Sequence, residues 1–288
     1  MTDVERRSRP VGVFDSGVGG LTVLHELLVA LPQEDFLYLG DTARFPYGMR
    51  PAEQLEEFGL EIADALVARG AKLLVVACNS AAAAAVPTLR ARYEDGTPDA
   101  VDVIAVIGPE AQAAVVATRT GRVGLLATPA TVATGAYERA LAAADPHVHL
   151  ESVACPDLAP IIQGGFPFDE AVVDTVRAYC EPLRAARVDT VILGCTHFPL
   201  VRPMLQRMLG PGVTLITPGA AIARRVESAL AARGLESLDR GGGEGSYDFL
   251  STGDPEAFRA LGTRFLQMPL GDVAQIELRT PVPAGSGA

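Results

Sequence analysis

Residues 72–81 read KLLVVACNSA, and residues 190–199 read TVILGCTHFP. In each, an unbroken apolar run of strand length stops by presenting a cysteine, and amide or hydroxyl side chains follow it. Apolar runs of this kind suit strands of a parallel sheet covered on both faces. Ligands of such sheets bind beyond the carboxyl ends of the strands, so both thiols are expected where a ligand lies. Backbone N–H groups and a helix dipole at that edge are expected to lower a thiol pKa that starts at about 8.5.

Working outward, β-rich runs alternate with Ala- and Leu-rich helical stretches, the pattern of an α/β fold. Strands are expected at 11–14, 35–40, 72–77 and 103–107, with helices at 21–31, 52–69 and 80–93; Pro87 should kink or shorten the last. The order then restarts. RVGLLAT (122–128) resembles VGVFDS (11–16), HLESVA (149–154) forms the next strand, and TVILG (190–194) is the counterpart of LLVVA (73–77). The halves read as weak duplicates offset by roughly 110 to 120 residues. Strands at 213–217 and 247–252 follow, then a helix capped by Asp254 with Pro255 at its first position. The stretch at 239–246, DRGGGEGS, reads as a flexible connector and residues 281–288 as a disordered tail.

With 288 residues, 49% hydrophobic and 20% charged, the chain has ample material for a large core, and its length suggests two domains. A net charge of −11 argues against a nucleic-acid surface. It also means that an anionic substrate must be drawn by local donors. The most apolar tract, 73–89, is broken by Asn79, Ser80 and Pro87 and does not suit a membrane span of about 20 residues. Four cysteines (Cys78, Cys155, Cys180, Cys195) form no C-x-x-C pair, and no export signal precedes the first strand, so free thiols in the cytoplasm are expected. Cys155 and Cys180 lack the strand-end setting of the other two and read as structural.

Two further motifs sit at strand ends. DSGVGGL (15–21) is a glycine turn into a helix; its third position after Gly17 and Gly19 is Thr22, which rules out a dinucleotide fingerprint, and the P-loop lysine is absent. The glycines need only backbone freedom, but the turn's geometry does not require Asp15. GDTARFPYG (40–48) places Asp41 and Thr42 after a strand and an aromatic hydroxyl, Tyr47, in a turn.

In order and spacing, DSGVGGLTV, GDTARFPYG, ACNSA and LGCTHFPL resemble the glutamate racemase family, over about residues 10 to 230. STGDPEAFRALGTRFL (251–266) resembles an extension of some actinobacterial members. The resemblance implies interconversion of D- and L-glutamate without cofactor or metal, supplying D-glutamate for peptidoglycan. It implies Cys78 as the base for the D-enantiomer, assisted by Asp15, and Cys195 as the base for the L-enantiomer, assisted by His197. His197 reaches Cys195 only if the segment turns. Substrate contacts are expected from Asp15, Ser16, Asp41, Pro46, Tyr47, Gly48, Asn79, Ser80, Thr128, Thr131, Glu151 and Thr196. Ser80 stands where threonine is frequent and Phe198 where tyrosine is frequent.

The expected architecture is two pseudo-symmetric flavodoxin-like α/β domains, residues 1–99 plus 211–288 and residues 100–210, with the site in the cleft between them. A homodimer is expected from the family. Rival readings are pyridoxal phosphate on the only lysine, Lys72; a Cys195–His197 hydrolase; a zinc site of Cys78, Cys195 and His197; a non-catalytic binding module; and a relative acting on aspartate.

Overall fold

The computed structural model describes residues 2–97, 100–165, 169–238 and 241–278. Its strands are β1 (Val11–Asp15), β2 (Phe36–Gly40), β3 (Leu73–Val76), β4 (Asp102–Ala105), β5 (Arg122–Ala127), β6 (His149–Ala154), β7 (Thr190–Gly194), β8 (Thr214–Ile216), β9 (Tyr247–Ser251) and β10 (Val273–Gln275). They form two parallel sheets, one in the order β10-β9-β2-β1-β3-β4 and the other β6-β5-β7-β8. Helices join successive strands, as parallel crossovers require.

The duplication read from the sequence is visible in this order. β2-β1-β3-β4 and β6-β5-β7-β8 are the same arrangement, and β1 and β5 occupy equivalent places. β3 and β7, the strands that deliver Cys78 and Cys195, each lie third in their repeat, fully buried and, apart from Thr190, apolar. The first sheet is then extended past β2 by β9 and β10, two strands that the second sheet lacks.

The expected domain boundaries are corrected at both crossings. β4 pairs with β3, from Leu73 opposite Asp102 to Val76 opposite Ala105, so the chain leaves the first sheet after 105 rather than at 99. β8 pairs with β7, Thr190 opposite Thr214, so the return comes after 216 rather than at 210. Both are short edge strands whose sequences carry no mark of which sheet supplies their partner. Residues 103–107 were expected as one strand, yet β4 stops at Ala105 and a helix, Ile107–Ala117, begins two residues on.

The helix after Cys78 spans Asn79–Tyr93 and runs through Pro87 rather than ending there. The end of the expected flexible connector is fastened: the Gly245 N–H donates to the Pro32 carbonyl at 2.8 Å, and Ser246 donates twice to Asp35 Oδ1. Residues 239–240 and the expected tail lie outside the described residues. Among the described residues, no helix is long and apolar enough to cross a membrane.

Candidate active site

β1, β3, β5 and β7 end near one another, and the side chains that follow those ends converge. Asp15 closes β1 and is fully buried. The Gly17 N–H donates to its Oδ1 at 2.9 Å, Ser16 Oγ to the same oxygen at 3.4 Å, and Thr196 Oγ1 to Oδ2 at 3.1 Å. The last bond crosses between the lobes. A second crossing runs from Thr22 Oγ1 to the Thr196 carbonyl at 3.1 Å. Burial pushes the Asp15 carboxyl up to about 6, although these donors favour its charged form.

Cys78 is the N-cap of the helix Asn79–Tyr93, its sulfur accepting from the Ala81 N–H at 3.5 Å. Cys195 follows β7 in a turn closed by the Phe198 N–H donating to the Cys195 carbonyl, and the turn carries His197 back toward the thiol. The distance from Cys195 Sγ to His197 Nδ1 is 4.0 Å. The expectation of lowered thiol pKa values is corrected. Burial pushes Cys78 up to about 12, with the Asp15 charge adding to the rise, and burial holds Cys195 well above its ordinary value. At this depth the loss of water outweighs one helix terminus. In the closed site both sulfurs are thiols.

His197 is buried and held from several sides. Its ring stacks on Phe45 at 5.4 Å and meets the edge of Phe265 at 5.0 Å. Its Nε2 lies 2.9 Å from Gln163 Oε1, which places the hydrogen on Nε2 and leaves the Nδ1 lone pair toward Cys195. Burial lowers its pKa to about 3, so the imidazole is neutral and works as an acceptor rather than as a cation. Gln163 escaped the sequence reading because APIIQGG carries no recognisable chemical pattern; only the fold brings it to His197.

Ser16, Pro46, Tyr47, Gly48, Cys78, Asn79, Ser80, Thr128, Cys195, Thr196 and His197 line one cavity between the lobes. Its volume of about 30 Å³ suits a water or two and not an amino acid, so a substrate must part the walls to enter. Ser80 Oγ lies 2.8 Å from Thr128 Oγ1 and 3.2 Å from Thr131 Oγ1, joining the two lobes through three hydroxyls.

Four expected contacts do not line the closed cavity. Asp15 and Thr131 lie buried one hydrogen bond behind it, on Thr196 and on Ser80. Glu151 is exposed in the middle of β6, opposite Gly124 and short of the strand end where the site lies. Asp41 is buried but does not line the cavity: Tyr47 Oη and Arg44 Nε donate to its Oδ2, and Thr252 Oγ1 donates to Oδ1 at 2.7 Å. Its three donors make it the anchor of the loop that carries Tyr47 and Gly48. Arg44, the cation of that motif, is held by Asp41 and Glu61 and lies 3.8 Å over the Phe58 ring.

The rival readings fare as follows. Lys72 is buried against Glu34 at 2.6 Å, before the start of β3 and therefore at the opposite end of the strand from Cys78. Among the described residues, no group of three or more His, Cys, Asp or Glu is placed to hold a metal ion. Cys155 and Cys180 are buried free thiols outside the cavity lining.

Comparison with known proteins agrees with this geometry. Residues 17–226 match the family model for Asp/Glu/Hydantoin racemase. A glutamate racemase of Beutenbergia cavernae is 46% identical over 282 residues, covering 95% of this chain and 95% of its own length. Among solved structures, glutamate racemase isoform RacE1 of Bacillus anthracis superposes with a TM-score of 0.87 at 34% identity, covering 94% of this chain and 98% of its own. The Francisella tularensis glutamate racemase, solved in complex with D-glutamate, gives 0.85 at 30% identity with the same coverage. The chain belongs to the Asp/Glu/Hydantoin racemase family.

Proposed function

We infer that the chain interconverts L- and D-glutamate by proton exchange at Cα between two thiols, with no cofactor. The observation that carries the reading is the placement of Cys78 and Cys195 on one cavity, each delivered by the equivalent strand of a duplicated sheet. Inverting a carbon centre means removing hydrogen from one face and returning it on the other, and a base on each face does both.

With D-glutamate bound, the Cys78 proton passes to Asp15, whose pKa of about 6 leaves it an ionised acceptor at neutral pH. The Cys78 thiolate takes the Cα hydrogen, and the Cys195 thiol returns a proton to the opposite face. From L-glutamate the roles exchange: the Cys195 thiolate takes the Cα hydrogen and the Cys78 thiol returns one, with the neutral His197 Nδ1 beside Cys195 as the acceptor toward which its thiol hydrogen points. The charge that develops at Cα is met by hydrogen bonds, since Arg44 is already engaged. Ser16, Asn79, Ser80, Thr128, Thr196 and the Tyr47–Gly48 turn supply polar groups to the carboxylates and ammonium.

Homologues named as glutamate racemases support this substrate. The same reading places the protein in the cytoplasm, supported by four free cysteines, and assigns it a homodimer and a role in supplying D-glutamate for peptidoglycan, both from the family resemblance. The test is circular dichroism of each enantiomer of glutamate and aspartate incubated separately with the protein. Loss of ellipticity with both glutamates and neither aspartate is expected. An unchanged glutamate signal overturns the reading, and faster aspartate conversion moves the chain to a different substrate.

A further inference from the structure

Asn79 lines the cavity, directly after Cys78. Both hydrogens of its amide are taken by the other lobe: Nδ2 donates to Glu110 Oε2 at 3.0 Å and to Tyr137 Oη at 2.7 Å. Tyr137 in turn donates to the same Glu110 oxygen, closing a three-membered polar ring. Asn79, Glu110 and Tyr137 are all buried, and Asn79 Oδ1 has no partner among the described residues. Glu110 sits on the helix Ile107–Ala117 and Tyr137 on the helix Ala136–Ala144, outside the cavity lining and outside the proton-transfer steps.

An asparagine amide fits its pocket almost equally well either way round, so its neighbours decide which end points where. The ring fixes the choice here. A flipped Asn79 would put Oδ1 where Nδ2 now makes two bonds, against the Glu110 oxygen that already accepts from Tyr137 and the Tyr137 oxygen whose hydrogen is spent on it, and both bonds would be lost. We propose that Glu110 is a positioning residue that acts through Asn79, holding its amide so that Oδ1 faces the cavity as the acceptor for the substrate ammonium. An ammonium has three donors and no acceptor, which matches a lone carbonyl oxygen; a carboxylate would find no donor there. Burial raises the Glu110 carboxyl to about 8 against the opposing bonds from Tyr137 and Asn79, and Oε2 still accepts both bonds when the proton sits on Oε1, an atom without a partner among the described residues.

The proposal rests on glutamate being the substrate. It is tested with Glu110→Ala, Glu110→Gln, Asn79→Ala and the Glu110→Ala/Asn79→Ala double variant, measuring KM and kcat in both directions and inhibition by glutarate, a dicarboxylate without an ammonium. Glu110→Ala is expected to raise the KM for glutamate roughly tenfold, as for a lost hydrogen bond to a charged group, with less change in kcat. Glutarate inhibition should stay within about threefold, because glutarate has no ammonium to lose a contact. Glu110→Gln, whose carbonyl can still accept from Asn79 and Tyr137, should recover most of the KM. The double variant should be no worse than Asn79→Ala alone, since one residue acts through the other.

Additive losses in the double variant overturn the proposal. So does an equal weakening of glutamate and glutarate, which indicates general distortion of the pocket. If Glu110→Ala is too unstable to assay, the recovery and glutarate comparisons on Glu110→Gln and Asn79→Ala decide the question: glutarate affinity falling with glutamate affinity in Asn79→Ala refutes the ammonium contact. A wild-type protein inactive on glutamate removes the underlying reading instead, so the two failures are told apart by the wild-type control.

Discussion

His197 carries an imidazole that folding keeps neutral. Its folded pKa, lowered to about 3 by burial, lies below the ordinary histidine value, so its contribution to stability is present above about 6.5 and is lost as pH falls toward 3. Asp15 runs the other way: raised to about 6, it favours the folded state most at low pH and less as pH rises through that value. Comparing wild type with His197→Asn isolates the histidine. The stability advantage of wild type in urea unfolding should be largest near pH 7 and should shrink steadily to pH 4. An advantage independent of pH contradicts the buried neutral imidazole. Gly19 shows how tightly the site is built, because a Cβ there would lie 2.3 Å from Thr196 Oγ1 and 2.5 Å from His197 Nδ1. Gly19→Ala should therefore cost about 1–3 kcal/mol of stability. It should also lower kcat/KM by roughly two orders of magnitude, as expected for a displacement near 1 Å of groups bound to Asp15 and facing Cys195. Kinetics and thermal unfolding of this one variant check both numbers.

At the scale of elements, the strand and helix after residue 246 buttress the site from behind. The turn at Ser251–Gly253 is tied to the loop after β2: Thr252 Oγ1 donates to Asp41, the Ala43 N–H donates to Thr252 Oγ1 at 3.1 Å, and the Gly253 N–H donates to Thr42 Oγ1 at 3.0 Å. The helix Pro255–Leu266 brings Phe265 against His197 and Phe258 against Tyr38. Thr252→Val removes both side-chain bonds and should lower Tm by about 2–5 °C for a loss near 1–2 kcal/mol. It should also raise the KM for glutamate several-fold, because the loosened loop presents Tyr47 and Gly48; a changed Tm with unchanged KM would separate the turn from the site. This support was only half legible. Asp254 and Pro255 marked the helix start, as found, because capping chemistry is local. That the segment joins the first sheet beside β2, and ties Asp41 into its loop, depends on pairing across roughly two hundred residues. β10 went unread for the same reason: three residues, mostly outside the core, carry no period.

For the whole molecule, the sequence carried the main architecture because its repeated unit is strong: two buried strands, each ending in a cysteine, at equivalent places in duplicated sheets. Strand-end motifs are local in sequence and converge in space, so Asp15, Ser16, Cys78, Asn79, Ser80, Cys195, Thr196 and His197 could be found before the fold was known. Gln163, Glu110 and Tyr137 could not, since each acts through a partner that only tertiary packing supplies. Glu151 was expected from its resemblance to a family segment, and its place in the middle of β6 lies short of the strand ends where the other residues meet. The lobes meet through hydrogen bonds, including the Ala130 N–H on the Gly48 carbonyl at 2.9 Å, the Ser80–Thr128 hydroxyl pair and the Thr196 hydroxyl on Asp15. Such a seam can part for substrate without breaking an ion pair and close again over it. What must hold when it closes is that one carbon is reached by sulfur from both sides. The direct measurement is mass and NMR analysis of the earliest L-glutamate formed from D-glutamate in deuterium oxide. The account predicts that the product carries deuterium at Cα while the remaining D-glutamate is still almost entirely protiated; early product that retains the substrate's own hydrogen would contradict it.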